Sequence, residues 1–262
     1  MISAPATSLL DRAVRAARPV LHLFGDPTVT LERRRVDVPQ GSRRLLAFVA
    51  LRRRRVERRY AAGILWPSGD DARAGGNLRS ALWRLNVAGI PLLVADKCTL
   101  SLRDDVVVDV HVADDWASRL VGGGAATDDL TLVPWATEAL DLLPGWYEDW
   151  AVVERERIRQ RMLHALEALS RALVAAGRGA HAVEAAMTAV AAEPLRESAQ
   201  RVLLEAHLAE GNWVEGRRGY ELYRQLLWRE LGAEPDPALA AVIGQARRRA
   251  YRTADPAGAA VS

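Results

Sequence analysis

Between Gly75 and Leu102 the chain changes period, and that change narrows what it can fold into. The stretch GGNLRSALWRLN places Leu78, Ala81, Leu82 and Leu85 at i, i+3, i+4 and i+7, the stripe of an amphipathic helix lying on a core. Gly89 and Pro91 stop that helix. Leu92–Ala95 and Thr99–Leu102 then flank a turn at Asp96–Cys98 and read as a β-hairpin. Upstream, Leu21–Phe24, Thr28–Leu31 and Arg35–Val38 are short β-like segments, the first two separated by the turn Gly25-Asp26-Pro27. Pro39, Gln40 and Gly41 break this pattern, and Ser42 is placed to cap a helix over Arg43–Leu51. A second helix is expected over Arg58–Leu65, ending at Trp66-Pro67. Ser68–Asp71 form a polar loop, with Asp70 or Asp71 available as cap to the third helix, and Val106–Val108 gives one more strand. Strands, three helices and a hairpin are the layout of a winged helix-turn-helix, with Gly75–Asn86 in the recognition helix.

The outer face of that helix carries the chemistry. Gly76, Ser80, Trp83 and Val87 point away from the apolar stripe, flanked by Arg73, Arg79 and Arg84. A planar guanidinium pairs bidentately with guanine O6 and N7, which makes Arg79 and Arg84 the candidate readers, with Arg73 near the helix start. Asn77 has the amide that suits adenine, from the side of the helix, and Ser80 can reach a base or a phosphate. Trp83 either lies against a sugar or a thymine methyl, or packs under the hairpin. In the run Arg52–Arg55 and beyond, Arg54, Arg55 and Arg58 are expected to meet phosphates, contacts that position without reading sequence. Lys97 at the hairpin tip reaches a neighbouring minor groove or stays solvated. Cys98 beside it is a small side chain in a turn.

Charge supports a polyanion partner for the first half. Residues 1–111 hold 19 Lys+Arg against 11 Asp+Glu, a net of +8, while the remainder holds 17 against 22, a net of −5. The 262 residues suffice for two domains. With Cys98 as the only cysteine, no internal disulfide and no cysteine zinc cluster can form. No apolar run approaches a membrane span, and the N-terminus lacks a signal-peptide core, so the expected location is cytoplasmic and the expected partners exclude a membrane.

From Asp109 the chain reads as helix throughout, interrupted at Gly122–Gly124, with a long amphipathic helix over Trp150–Ala175. Gly177 and Gly211 are 34 residues apart, each after an alanine- and leucine-rich helix end. Ala172 matches Ala206, Ala175 matches Ala209, and Ala186 matches Tyr220. That period with paired helices is the tetratricopeptide signature. The expected fold class is therefore mainly α with small β elements. A tail over 1–19 precedes a winged helix over 20–108, an all-α tetratricopeptide-like domain over 109–250, and a tail over 251–262.

Catalytic patterns are missing. There is no G-x-x-x-x-G-K-[ST], no H-E-x-x-H and no G-x-S-x-G, and the five histidines are scattered. Glu154 and Glu156 sit in an ERER run that reads as surface pairing. No catalytic residue, metal or cofactor is expected, and the protein reads as no enzyme. No receiver domain is expected in the stretch ahead of the first strand.

The stretches LHLFGDPTVTLERRRVDVP, LLAFVALRRRRV, ILWP and ARAGGNLRSALWRLN resemble the N-terminal half of Streptomyces antibiotic regulatory proteins, a winged helix similar to the OmpR-type output domain. LLPGWYEDWAVVERERIR, AVAAEPLRESAQRVLLEAHLAEGN and YRQLLWRELGAEPDPAL resemble their bacterial transcriptional activation domain. The resemblance spans about Leu21 to Arg249 and is that of a short form without nucleotide-binding and sensor domains. Gly75-Gly76 and RLNVAG depart from the usual arginine-rich recognition helix.

The resemblance implies an activator of a biosynthetic gene cluster, often one for a secondary metabolite. Such proteins bind direct repeats near a promoter, and with no heptad seam visible in this chain two copies are expected head to tail on them. They recruit RNA polymerase through the sigma factor and the C-terminal domain of the alpha subunit. The loop holding Ser68, Asp70 and Asp71 either meets part of the polymerase or simply turns and caps the chain. The alternative is a helical-repeat adaptor that binds a protein and carries a degenerate winged helix.

Overall fold

The computed structural model describes residues 6–244. The expected C-terminal tail over 251–262 lies outside them, and so do the first residues of the expected N-terminal tail. Helix α1, Ala6–Arg15, precedes the first strand. The described residues form two compact units, residues up to 118 with 133–162 and residues 119–132 with those from 163 onward.

The first unit begins with an antiparallel ribbon of β1 (Val20–His22), β2 (Thr28–Leu31) and β3 (Arg34–Asp37). Leu21 pairs with Val29 and Val29 with Val36, so one face of alternating apolar residues turns to the core. Three helices follow: α2 (Gln40–Leu51), α3 (Arg58–Leu65) and α4 (Asp71–Val87). Helix α2 starts earlier than the sequence suggests, with Pro39 in the N-cap position and no side-chain cap. Ser42 is instead fully buried, and its Oγ donates to the Ala81 carbonyl at 2.8 Å. A residue expected to cap α2 thus ties α2 to α4. The wing is β5 (Leu93–Ala95) and β6 (Thr99–Leu102), with β4 (Val56–Glu57) on the other edge of β6. Strand β7 (Val107–Val108) leaves the wing and pairs in parallel with β1, giving the first sheet the order β3-β2-β1-β7.

Helix α5 (Asp109–Val121) follows. The expectation of helix throughout this region needs correction. Between α5 and the next long helix lie only the short 3-10 turn Thr127–Asp129 and α6 (Trp135–Glu138). Pro134, Pro144 and left-handed residues at Leu143 (φ 50) and Gly145 (φ 78) break the backbone there. The segment holds by aromatic packing. Trp135 stacks on Phe24 at 6.4 Å and meets the edge of Trp116 at 5.4 Å, while Trp150 meets Phe48 at 5.3 Å. Arg155 donates to the carbonyls of Leu142, Leu143 and Trp146, satisfying a turn that no regular ladder serves.

Helix α7 (Asp149–Ala175) gives its residues from 163 onward to the second unit, which continues with α8 (Gly179–Ala192), α9 (Glu197–Ala209) and α10 (Trp213–Leu231). The 34-residue period is visible in the backbone. Gly177 (φ 70) and Gly211 (φ 79) both take the left-handed conformation that ends a helix. The N–H of Arg178 donates to Leu173 and that of Asn212 to His207, the same bond one period later. Gly216 lets α10 approach α9, since an added Cβ would sit 3.1 Å from Leu204 Cδ1. Buried Glu167 accepts from Arg196 Nε at 2.6 Å and Ser198 Oγ at 2.7 Å, pairing a carboxylate that would otherwise be costly to bury.

Candidate nucleic-acid interface

Helix α4 is defined at both ends. Asp70 is its N-cap, with Oδ1 accepting from the Arg73 N–H at 2.7 Å, so of the two candidate caps it is Asp70 that acts. At the other end Gly89 is left-handed (φ 68), and the buried Ile90 donates its N–H to Leu85 at 2.9 Å, a Schellman closure. Ala74, Leu78, Ala81 and Leu85 are buried and Leu82 half-buried, as the stripe requires.

The opposite face is open. Arg73, Arg79, Ser80, Trp83 and Arg84 are exposed, and Asn77 is half-buried on the flank. Trp83 is 64% exposed, so it does not pack under the wing. The arginines lie close to the helix. Arg79 folds over Gly75 and Gly76, Arg73 lies beside Gly69, and Arg84 reaches α2, where a Cβ on Gly41 would stand 2.7 Å from its Nη1.

A groove of about 190 Å³ runs between α3, α4 and the wing tip, lined by Arg58, Arg59, Asp71, Arg79 and Lys97 among others. Three of the cations singled out from the sequence, Arg58, Arg79 and Lys97, therefore meet in one place. Arg58 also braces the wing: its N–H donates to the Cys98 carbonyl at 2.8 Å and its Nη1 to the Asp96 carbonyl at 3.0 Å. Arg59 pairs with Asp71 at 2.7 Å on the open surface. Of the loop residues proposed to meet a polymerase, Asp70 thus caps, Asp71 pairs, and Ser68 is exposed.

Arg54 and Arg55 lie elsewhere. They line a wider cleft of about 880 Å³ at the base of the wing, with Arg53, Val94, Leu102, Arg103 and His111. Strand pairing explains the separation: Glu57 faces Thr99 beside the tip and Val56 faces Leu100, so the residues before Val56 run toward the base.

Residues 124–247 match the bacterial transcriptional activator domain. Over 202 residues the chain is 29% identical to the regulatory protein AfsR of Streptomyces griseus, an alignment covering 73% of this chain and 20% of that protein. The chain thus spans about a fifth of the length of the curated relative it matches. Its fold is similar to that of EmbR of Mycobacterium tuberculosis, solved in complex with a low-affinity phosphopeptide, with a TM-score of 0.68 at 18% identity over 88% of this chain and 65% of that one. The chain therefore carries a bacterial transcriptional activator domain in its second half. That domain marks transcriptional regulators.

Two carboxylates that the sequence did not mark hold the first unit together, one in the wing tip and one in the core. Asp96 holds the tip turn: Oδ1 accepts from the N–H of Cys98 (2.7 Å) and Thr99 (2.6 Å), and Oδ2 accepts from Thr99 Oγ1 (2.7 Å). Those bonds, the Thr99 hydroxyl foremost, hold its pKa down at about 2. The signal was available, since an Asp two residues before a turn's end is an Asx-turn residue. Asp109 is buried and accepts from the N–H groups of Leu23 (2.8 Å), Phe24 (3.1 Å) and Val110 (2.7 Å). Burial pushes its carboxyl up to about 7 although the three donors favour the anion. No local pattern marks it, because two of its donors lie more than eighty residues earlier.

No helix among the described residues is long and apolar enough to cross a membrane.

Proposed function

We propose that this chain is a sequence-specific DNA-binding transcriptional activator whose α4 enters the major groove. The observation that carries this reading is the meeting of Arg58, Arg79 and Lys97 in one groove beside an α4 face that buries nothing of its own. Arg73, Asn77, Arg79, Ser80, Trp83 and Arg84 are the base-facing set. Arg79 and Arg84 each have only a retracted resting position to leave. Arg58 and Lys97 meet the backbone at the wing tip, and Arg54 and Arg55 add to the field from the base. The protein works in the cytoplasm, on the nucleoid, and needs no cofactor.

The family supports further steps. Two copies sit head to tail on direct repeats about one helical turn apart. The second half, acidic overall, recruits RNA polymerase through the sigma factor and the C-terminal domain of the alpha subunit. Ser68, Asp70 and Asp71 lie where polymerase on the same DNA would pass. The controlled genes are a secondary-metabolite cluster.

Selection from a random duplex pool with the full chain tests the first claim. The expected result is an enriched direct repeat, and inserting half a turn between its halves abolishes cooperative binding. Recovery of no preferred sequence refutes it and favours the adaptor reading. Run-off transcription with purified polymerase on the selected site then tests activation. The test keeps the full chain, because cutting after Val112 would remove Trp116, Trp135 and Trp150 from the core of the first unit.

A further inference from the structure

We infer that the outer face of α4 reads thymine through its C5 methyl group, with Trp83 and Val87 as the apolar contact; this deepens the DNA-reading proposal and rests on it. Trp83 and Val87 are 64% and 66% exposed and stand one turn apart at i and i+4, on the side opposite the buried stripe. Neither serves the core. A tryptophan and a valine side by side in water forgo burial that each would gain elsewhere. Their frame states what covers them. Arg79 and Arg84 flank the pair, and Arg58, Arg59 and Lys97 line the adjoining groove. An apolar protein surface docking here would bury these guanidinium groups against hydrocarbon, which is costly. A DNA duplex neutralises them with phosphate. Within its major groove the thymine methyl is the one apolar group that a base edge presents.

The ring of Trp83 is open to receive it. Arg79 rests over Gly75 and Gly76, 3.6 and 3.7 Å from where their Cβ atoms would be, and Arg84 rests over Gly41. Neither neighbouring guanidinium covers the indole. The arginines therefore supply hydrogen bonds to guanine on either side, and the apolar pair between them selects a T·A pair. A contact to sugar would give affinity but no dependence on the base.

The test uses the full-length protein and the duplex it selects. Each thymidine is replaced in turn by deoxyuridine, which removes the methyl and nothing else. At one thymine or two per half-site, affinity should fall roughly fourfold, the scale of one buried methyl group. Trp83→Ala and Val87→Ala, checked for native folding by circular dichroism, should each bind the thymidine and deoxyuridine duplexes with a ratio closer to one. Deoxyuridine without effect at every position overturns the inference while leaving DNA reading intact. Variants that weaken both duplexes equally, with the ratio unchanged, also overturn it and assign the pair to sugar contact. Failure to select any sequence removes the underlying DNA reading instead.

Discussion

Both ends of the wing are basic, and their charged side chains are used differently. At the base, Arg53 donates to the His111 carbonyl at 2.8 Å and pairs with Asp115 at 2.8 Å and Asp114 at 3.4 Å. Arg103 pairs with Asp105 at 2.6 Å and donates to the Pro91 carbonyl at 3.0 Å. Arg52 covers the Phe48 ring at 4.9 Å. Half of this basic run is committed to the fold, while Arg54 and Arg55 line the cleft, exposed and with no ion pair among the described residues. At the tip, Arg79 and Lys97 stand exposed with no ion pair among the described residues, on a turn and a helix fixed by Asp96 and Asp70. A count of arginines marks both ends as phosphate-binding. The partners distinguish them, because a guanidinium already satisfied by carboxylates would have to break those bonds to meet DNA.

The largest expected effect concerns stability and lies in the core of the first unit. Asp109→Ala leaves the N–H groups of Leu23, Phe24 and Val110 without their acceptor and should cost on the order of 3 kcal/mol in urea unfolding. Protein that remains folded should bind DNA as before. A loss of DNA affinity with unchanged stability would mean that Asp109 serves the DNA-facing surface rather than the fold.

Next in size is the reading helix. Arg79→Ala or Arg84→Ala should weaken operator binding by about 1–3 kcal/mol in fluorescence anisotropy and relax preference at one base position. Melting temperature should hardly move, since neither side chain is buried. Intact preference in the double variant would mean that another element reads the bases.

A smaller effect is expected for Arg54→Ala with Arg55→Ala. Binding should weaken evenly across sequences, and the slope of log affinity against log salt should flatten by about 2. An unchanged slope would remove the base cleft from the DNA-facing surface altogether.

The two carboxylates give the finest test. Asp109 has its pKa raised from the ordinary 3.8 to about 7, so the folded protein holds this proton more tightly than the unfolded chain. Its contribution to stability is present below about pH 4 and is lost as pH rises through 7, and Asp109→Asn should flatten that slope. Asp96 has its pKa lowered to about 2, so its contribution is present above about pH 4 and is lost only as pH falls through 2. The amide shift of Thr99 in NMR should accordingly titrate near pH 2. A midpoint near 4 would mean that the tip turn is open in solution.

Much of the first unit was legible in the sequence. Thr28–Leu31, Thr99–Leu102 and Arg58–Leu65 fall where alternation, turn residues and the helical stripe put them. Arg155 was not legible. It sits in an ERER run whose neighbour Glu154 does pair on the surface, with Arg157 at 2.8 Å, while Arg155 itself turns inward to three carbonyls. The surroundings of Trp135 and Trp150 were equally hidden, since their partners Phe24 and Phe48 come about a hundred residues earlier.

The sequence by itself determined what is local: the strand alternation, the α4 stripe with its Asp70 cap and Gly89 stop, and the 34-residue period with left-handed glycines at 177 and 211. Each is set by hydrogen bonds and side-chain spacing within a few residues, so the pattern and the structure are nearly the same fact. Only the tertiary structure decided which basic residues are left for a partner. Arg53 and Arg54 are adjacent and chemically identical, yet one pairs with Asp114 and Asp115 on α5 and the other does not. That difference rests on carboxylates some sixty residues away, brought near by packing that no local pattern encodes.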